Sequence, residues 1–210
     1  MLAAVKISAI QDTRSRLIAA AGEIFAENGF DRATVREITE RAGVNIAAIN
    51  YHFRDKAELY AACLREAKCT AIEAAGEWLP DSDAPEARLR QFIDRMVRRL
   101  LNPDKPAWHH RLFNREIAQP TGALDQMVEE GIRPDCVVLE KIILELTEGR
   151  VARERRILMG FSVVSQCLFL LQNRPIIERL YPEFRQHPPE LEGVVEHIYQ
   201  FSLTAIRFAQ

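Results

Sequence analysis

Apolar residues recur every three to four positions along most of the chain, which is the spacing of one buried face of an α-helix. No stretch alternates apolar and polar residues in the manner of a strand. The pattern therefore predicts an all-α fold. Helices are expected over residues 12–28, 35–42, 46–53, 55–78, 86–101, 106–118, 121–146 with a kink or break at Pro134, 153–173 and 190–209. The intervening segments are predicted as a frayed arm at 1–10, a loop at 79–85 and a proline-rich loop at 175–189.

Two short predicted helices and the turn between them form the most distinctive local pattern. Thr34 followed by Glu37 has the spacing of a capping box at the start of the first of them. Gly43 can adopt the positive φ that a tight turn requires, and Asn45 can cap the next helix. Two short helices joined by a three-residue glycine turn define a helix-turn-helix. We therefore predict an N-terminal three-helix domain over residues 1–55, and a larger C-terminal helical bundle over 56–210 used for ligand binding and dimerisation.

The residues of this motif also carry a resemblance. The run ATVREITERAGVNIAAINYHFRDK at 33–56 resembles the DNA-binding domain of the TetR family of transcription regulators. The similarity extends back through FAENGF at 25–30 and forward to Leu59 and Tyr60. The resemblance implies a homodimer that binds double-stranded operator DNA, with phosphate contacts at Thr34, Tyr51, His52 and Lys56.

The chemistry of the third helix fits the same function. A short helix enters the major groove, and its N-terminal residues approach the base edges. Small alanines allow close approach, and an asparagine can pair with adenine. Arg36 is either a phosphate contact or a solvated surface residue. The candidate DNA-binding residues are Thr34, Arg36, Asn45, Ile46, Ala47, Asn50, Tyr51, His52 and Lys56.

A candidate effector site lies on the predicted helix at 106–118, where aromatic, cationic and acidic residues alternate. Its candidate ligand-binding residues are Trp108, His109, Arg111, Leu112, Arg115 and Glu116. The alternative is an amphipathic helix whose charged face is in water. Together with Pro120-Thr121 and Ile132-Arg133-Pro134, this segment resembles the C-terminal domain of the CecR-like subgroup of the TetR family. That resemblance implies a small organic effector of unspecified identity.

The last two predicted helices, 153–173 and 190–209, carry more apolar residues than one buried face needs. Paired across a two-fold axis they would form a four-helix bundle, which the resemblance also implies. The alternative is that both helices are internal to one subunit. A single helix-turn-helix contacts only a few base pairs, so two copies are needed for specificity.

Composition and motifs narrow the function classes further. The formal net charge of −2 gives no overall sign of nucleic-acid binding, so that prediction depends on local features. Zinc-protease motifs, glycine-rich phosphate loops and nucleophile elbows are missing, and adjacent His109 and His110 point to different helix faces. We therefore expect no catalytic residues, metal or cofactor. The most apolar stretch, 157–171, is too short to span a bilayer, and we expect a cytoplasmic protein without membrane contact.

The sequence thus predicts a one-component transcription repressor that binds palindromic operator DNA as a dimer and is released by a small-molecule effector. Three alternatives stay open at this point. They are a helical enzyme, a ligand-binding or protein-interaction module without specific DNA binding, and an activator in place of a repressor.

Overall fold

The computed structural model describes residues 2–73, 84–101 and 106–209, and the described residues are helical with short connections. The α-helices are α1 (Leu2–Arg32), α2 (Val35–Ala42), α3 (Ala47–Phe53), α4 (Lys56–Glu73), α5 (Pro85–Leu101), α6 (Ala107–Ala118), α7 (Leu124–Met127), α8 (Arg133–Leu146), α9 (Arg153–Gln172), α10 (Arg174–Leu180), α11 (Glu183–Gln186) and α12 (Leu191–Arg207). A π-helical turn, Val128–Ile132, joins α7 to α8. The all-α prediction is confirmed. The predicted end of α4 at Trp78 and most of the predicted loop 79–85 lie outside the described residues.

The chain divides by packing into two compact units. The first unit contains residues 1–70 and 104–132, and therefore α1 to α3, most of α4, α6, α7 and the π-helical turn. The second contains residues 71–103 and 133–210. Helix α6 thus packs with the N-terminal helices, although it comes later in the sequence. The functional boundary that the sequence predicts at residue 55 stays a prediction.

In the first unit, α1 packs against α2, α3 and α6. Leu17, Phe25, Ile38, Ile49 and Tyr60 are among the largest side chains of its core, and each is almost fully buried. The predicted frayed arm at 1–10 is wrong, because α1 begins at Leu2. No proline or glycine interrupts residues 2–21, so nothing stops the helix from extending beyond Asp12, where we expected its start.

The helix-turn-helix forms as the sequence predicts. The Thr34 hydroxyl accepts from the Glu37 backbone N–H at 3.2 Å, while the Glu37 carboxylate accepts from the Thr34 N–H at 3.0 Å. These reciprocal bonds are the predicted capping box. Gly43 has φ 63°, as the turn requires. The Arg16 guanidinium of α1 donates to the carbonyl oxygen of Gly43 at 3.0 Å and so holds the turn against α1.

The junction between α3 and α4 is a single tight turn. Arg54 has φ 57°, in the region that favours glycine, and the Asp55 N–H donates to the Phe53 carbonyl oxygen. The Asp55 carboxylate then caps α4 by accepting from the Glu58 N–H at 2.8 Å. The start of α4 is therefore fixed directly to the end of α3.

In the second unit, α5 packs against α8, α9 and α12. The core between them includes Leu89, Ile93, Leu139, Ile143 and Val195. Two arginines of α5 reach carboxylates of α8 at the rim of this core. Arg99 pairs with Asp135 at 2.7 Å, and Arg88 pairs with Glu145.

Two expectations on the later segments have opposite outcomes. The predicted break near Pro134 is confirmed, since the π-helical turn ends one residue before α8 begins and Pro134 lies in the first turn of α8, where it needs no N–H partner. The predicted loop at 175–189 is wrong over most of its length, because α10 and α11 occupy residues 175–180 and 183–186. Pro175 lies at the start of α10, where a proline is compatible with a helix. Within the described residues, no helix is long and apolar enough to cross a membrane.

Candidate nucleic-acid interface

Helix α3 presents a mixed surface of small, apolar and amide side chains to solvent. Asn45, Ile46, Ala47, Asn50 and Tyr51 are all exposed, and Tyr51 is 72% exposed. On the opposite side, Ile49 and Phe53 are buried in the core of the first unit. The exposed Ile46 side chain can pack on the methyl group of a thymine. The structure therefore exposes together the five predicted contact residues at the start of α3 and on its outer face.

Asn45 helps to start this helix. Its side-chain oxygen accepts from the Ala47 N–H at 2.9 Å, and its carbonyl oxygen accepts from the Ala48 N–H. The bond stabilises the first turn of α3. The oxygen has a second lone pair and the NH2 group has two donors, so the same amide can also contact a base.

Two further predicted contacts, Thr34 and Arg36, lie at the start of α2 and already have partners. The Thr34 hydroxyl donates to the Glu37 carboxylate at 2.8 Å, and this bond lowers the pKa of Glu37. Arg36 is exposed and pairs with Glu40 at 2.8 Å. A phosphate at either residue would compete with a carboxylate, so phosphate contact here stays a prediction.

Tyr51 and His52 lie at the C-terminal half of α3. Their ring centroids are 4.9 Å apart in an edge-on arrangement, and the imidazole is half-buried. Burial in the first place, and then the nearby charge of Arg14, lower the pKa of His52 below its ordinary value. The imidazole is therefore neutral near pH 7 and can donate one N–H to a phosphate oxygen.

Lys56 has a structural role in addition to any contact with DNA. Its ammonium group donates to the carbonyl oxygens of Phe30 at 2.9 Å and Ala33 at 3.1 Å, and lies 4.5 Å from the centre of the Phe30 ring. These carbonyl groups lie at the end of α1, where a cation is favourable. A phosphate contact by Lys56 would require it to give up part of this cap.

The predicted effector residues on α6 lie in the first unit and are largely used in packing. Trp108, His109 and Leu112 are buried. The Trp108 ring packs directly on Gly22 of α1, where a side-chain Cβ would come within 2.5 Å of the ring. Arg111 is exposed. These positions are thus accounted for by the contact between α1 and α6, and effector binding by them stays a prediction.

Arg115 and Glu116 make polar links that the sequence reasoning missed. Arg115 donates to the carbonyl oxygens of Ala26 and Glu27, at 3.3 and 3.0 Å, near the end of α1. Glu116 is fully buried and accepts from the Tyr60 hydroxyl at 2.7 Å and from the Thr121 N–H at 2.8 Å. The burial of Glu116 could have been predicted from the sequence, because Glu116 follows Trp108 and Leu112 at four-residue spacing and so lies on the buried face of α6.

The first unit also contains an open cleft of about 570 Å³ beside α4, whose lining includes Phe30, Arg54, Arg65, Thr121 and Gln126. None of the six predicted effector residues lines it. Tyr60 belongs both to the wall of this cleft and to the buried network around Glu116. A molecule in the cleft would therefore contact the helix that follows the helix-turn-helix directly.

The second unit has an uncovered apolar surface on its last long helices. Leu158, Phe161 and Phe169 of α9 are each more than half exposed, as is Phe201 of α12. Val163 and Cys167 on the other side of α9 are buried. Leu158, Phe161 and Phe169 lie three and eight positions apart and so share one face of α9.

Comparison with known proteins agrees with this geometry. The family model for the TetR-type bacterial regulatory domain matches residues 17–63, and the model for the C-terminal domain of the transcriptional dual regulator CecR matches residues 85–206. CecR of Shigella flexneri is 32% identical over 180 residues, which is 80% of each chain. The chain therefore belongs to the TetR family of transcription regulators and has a C-terminal domain of the CecR type.

Solved structures share the fold at low sequence identity. The regulator FadR from Bacillus subtilis, solved with stearoyl-CoA, has a TM-score of 0.62 at 18% identity, covering 90% of this chain and 97% of that one. AibR, solved with isovaleryl coenzyme A and operator DNA, has a TM-score of 0.65 at 14% identity, covering 90% and 97%. Both structures support the helical fold along nearly the whole chain.

Proposed function

We propose that this chain is a cytoplasmic, non-enzymatic transcription repressor that binds a palindromic operator as a homodimer and leaves it when a small organic effector binds. The observation that carries the proposal is the exposed face at the start of α3. Ile49 packs into the core on the other side of the helix, and the exposed residues are Ile46, Ala47, Asn50 and Tyr51. A helix that is packed on one side and exposed on the other can enter the DNA major groove, which is wide enough to hold an α-helix.

The chemistry of each side chain determines whether it contacts a base or a phosphate. Ala47 and Asn50 lie nearest the bases, where a methyl group can pack on thymine and an amide can pair with adenine. Tyr51 and His52 donate to phosphate oxygens and fix the register of the helix. The bases determine which sequence is bound, and the phosphates supply most of the salt-dependent affinity.

The uncovered apolar residues of α9 and α12 support dimerisation. A second copy related by a two-fold axis would cover Leu158, Phe161 and Phe201 with the same residues of its own, as an isologous interface requires. Two helices from each subunit then form a four-helix bundle. Two copies of α3 would contact half-sites about one helical turn apart or a multiple of that spacing.

The chemical class of the effector is proposed from the two similar structures. Both hold a coenzyme A thioester, one with a long and one with a short branched acyl chain. Acyl coenzyme A thioesters are therefore the first compounds to test. Release requires that the effector favour a conformation with lower affinity for DNA.

The test is selection of bound duplexes from fragmented genomic DNA with the purified full chain, followed by footprinting. The proposal predicts one or a few sites with two inverted half-sites, protected by one dimer. Adding stearoyl or isovaleryl coenzyme A to the complex should lower the bound fraction, while free coenzyme A should not. In cells, deletion of the gene should raise transcription from the selected site.

A single variant tests whether α3 determines the sequence preference. Asn50→Ala should reduce the preference for the selected site and leave binding to random duplex unchanged, because Asn50 is exposed and its loss removes no core contact. Recovery of random fragments alone would reject the proposed function and favour an interaction module. Reduced transcription on deletion would reject repression in favour of activation.

A further inference from the structure

Arg14 of α1 lies against the end of α3, although the two are far apart in the sequence. Its guanidinium carbon is 5.3 Å from the centre of the Phe53 ring. Phe53 is buried, so the core fixes the orientation of that ring. A guanidinium that lies over an aromatic face keeps its N–H donors in its own plane, where they can reach another acceptor. Arg14 is therefore held in position without using its donors.

Two other arginines of the helix-turn-helix are paired with carboxylates. Arg36 pairs with Glu40, and Arg41 pairs with Glu23 at 3.3 Å. Arg14 is exposed, and in the described part of the chain no carboxylate lies within ion-pair distance of it. Its full charge is thus available to an anion from solution.

The ring that Arg14 contacts belongs to the end of α3 that also carries Tyr51 and His52. Phe53 directly follows His52 in α3, and the rings of Tyr51 and His52 are in edge-on contact. The ring centroids of His52 and Phe53 are 6.0 Å apart, so the aromatic ring that Arg14 contacts also neighbours the imidazole. The charge of Arg14 contributes, after burial, to the lowered pKa of His52. Ring contacts thus link Arg14 through Phe53 to His52 and from there to Tyr51. The guanidinium, the imidazole and the phenol can all donate to phosphate oxygens.

We propose that Arg14 binds a DNA backbone phosphate together with Tyr51 and His52, so that the DNA-binding surface extends from α3 onto α1. A guanidinium and a phosphate form two parallel N–H···O bonds, which fix position as well as charge. The contact with the buried Phe53 ring positions the side chain for this interaction. This inference depends on the proposed DNA binding and adds a contact that neither the motif nor α3 itself contains.

The experiment measures the affinity of the full chain for the selected duplex at several salt concentrations, for the wild type and for Arg14→Gln. The glutamine keeps a planar group over Phe53 and removes the charge. Each lost phosphate contact lowers the slope of log affinity against log salt by about 0.9, or about 1.8 for a dimer. Between about 50 and about 200 mM salt, the difference in affinity between wild type and variant should therefore shrink about tenfold.

Two further variants distinguish the loss of the Arg14 charge from other effects of a substitution in the first unit. Arg14→Lys keeps the charge and should restore most of the slope. Arg41→Gln removes a charge from the same unit, at a residue already paired with Glu23, and should leave the slope unchanged. Thermal unfolding of each variant checks that the fold is intact. An NMR titration of His52 should show a higher pKa in Arg14→Gln, since the charge that lowers it is gone.

Each outcome has a separate meaning. A slope in Arg14→Gln equal to that of the wild type, with the wild type bound to DNA, overturns the assignment of Arg14 alone. A raised pKa of His52 with an unchanged slope would also overturn it, because Arg14 would then act only on its neighbours in the protein. If the wild type binds no duplex at all, the proposed function fails first.

Discussion

The hydrogen bond between Tyr60 and Glu116 predicts a measurable loss of stability when the tyrosine hydroxyl is removed. Both side chains are buried in the first unit, and the two oxygens are 2.7 Å apart. Burial first, then the hydrogen bond to Glu116 and its negative charge, raise the pKa of Tyr60 well above its ordinary value. The hydroxyl therefore stays protonated over the accessible pH range and donates to the carboxylate. Tyr60→Phe removes this one donor and little else.

The magnitude follows from the other partners of the carboxylate. A hydrogen bond to a charged group contributes about 1.5 to 3 kcal/mol to stability. Glu116 keeps the Thr121 N–H at 2.8 Å and the Thr121 hydroxyl at 3.0 Å, so it is not left without donors. We therefore expect Tyr60→Phe to lower the free energy of unfolding by about 1.5 kcal/mol, the lower end of that range. For a chain of this size that corresponds to a fall in Tm of about 3 to 6 °C.

The assay is urea unfolding followed by circular dichroism, with Tyr51→Phe as the matched control. Tyr51 is 72% exposed, so its hydroxyl is solvated in both states and the control should change stability by less than about 0.5 kcal/mol. Glu116→Gln should cost more than Tyr60→Phe, because the new NH2 group would face existing donors. Because the two residues are in contact, the double variant should lose less than the sum of the two single losses.

Two results would refute this reasoning. One is a loss in Tyr60→Phe no larger than that in Tyr51→Phe. The other is additivity of the Tyr60→Phe and Glu116→Gln losses to within about 0.5 kcal/mol, which is the behaviour of sites that do not interact.

Three further predictions follow from other parts of the chain. Gly22→Ala should destabilise the protein by about 1 to 3 kcal/mol in urea unfolding, because its Cβ would lie 2.5 Å from the Trp108 ring. Phe161→Glu should convert a dimer into a monomer in light scattering, since it would place a carboxylate in the proposed interface. Affinity for DNA should rise as the pH falls from about 7.5 toward about 5.5, because a phosphate favours the charged form of His52, whose pKa is lowered in the free protein. His52→Gln should flatten that rise.

Matched variants test whether these effects are local. Gly193 of α12 has open space around its Cα, and Gly193→Ala should stabilise its helix by up to about 1 kcal/mol. Leu180 of α10 is as exposed as Phe161 but lies off α9 and α12, so Leu180→Glu should leave a dimer intact. Equal losses in Gly22→Ala and Gly193→Ala, or a monomer in Leu180→Glu, would contradict the corresponding prediction.

The parts of the fold that local chemistry determines could be predicted from the sequence. The capping box at Thr34 and the left-handed turn at Gly43 depend on residues within four positions of each other, so their spacing is sufficient evidence. The all-α class and the buried face of α3 follow from periodicity in the same way.

Helix ends were harder to predict, because several residues compete to set them. Asp12 and Thr13 can cap a helix, yet α1 continues past them to Leu2. In the segment from residue 175, the prolines suggested a loop, although Ile176, Leu180 and Phe184 have helical spacing. Proline excludes a helix only from its interior, and here Pro175 lies at a helix start.

The role of α6 could not be predicted from spacing, because it depends on long-range packing. A stripe with a tryptophan, a leucine and a glutamate fits a ligand site as well as a contact with another helix. In the structure, Trp108 packs on Gly22 and Glu116 bonds to Tyr60, both far away in sequence. Arg14 was missed for the same reason, since its partner ring belongs to Phe53.

The measurement that tests the central claim most directly is a fluorescence anisotropy titration of the full chain. It uses the duplex selected from genomic DNA and a random duplex of equal length, at the same salt concentration. A regulator that recognises its operator through α3 should bind the selected duplex at least about 1,000-fold more tightly, and Asn50→Ala should reduce that ratio. Equal affinity for both duplexes would contradict sequence-specific DNA recognition by this chain.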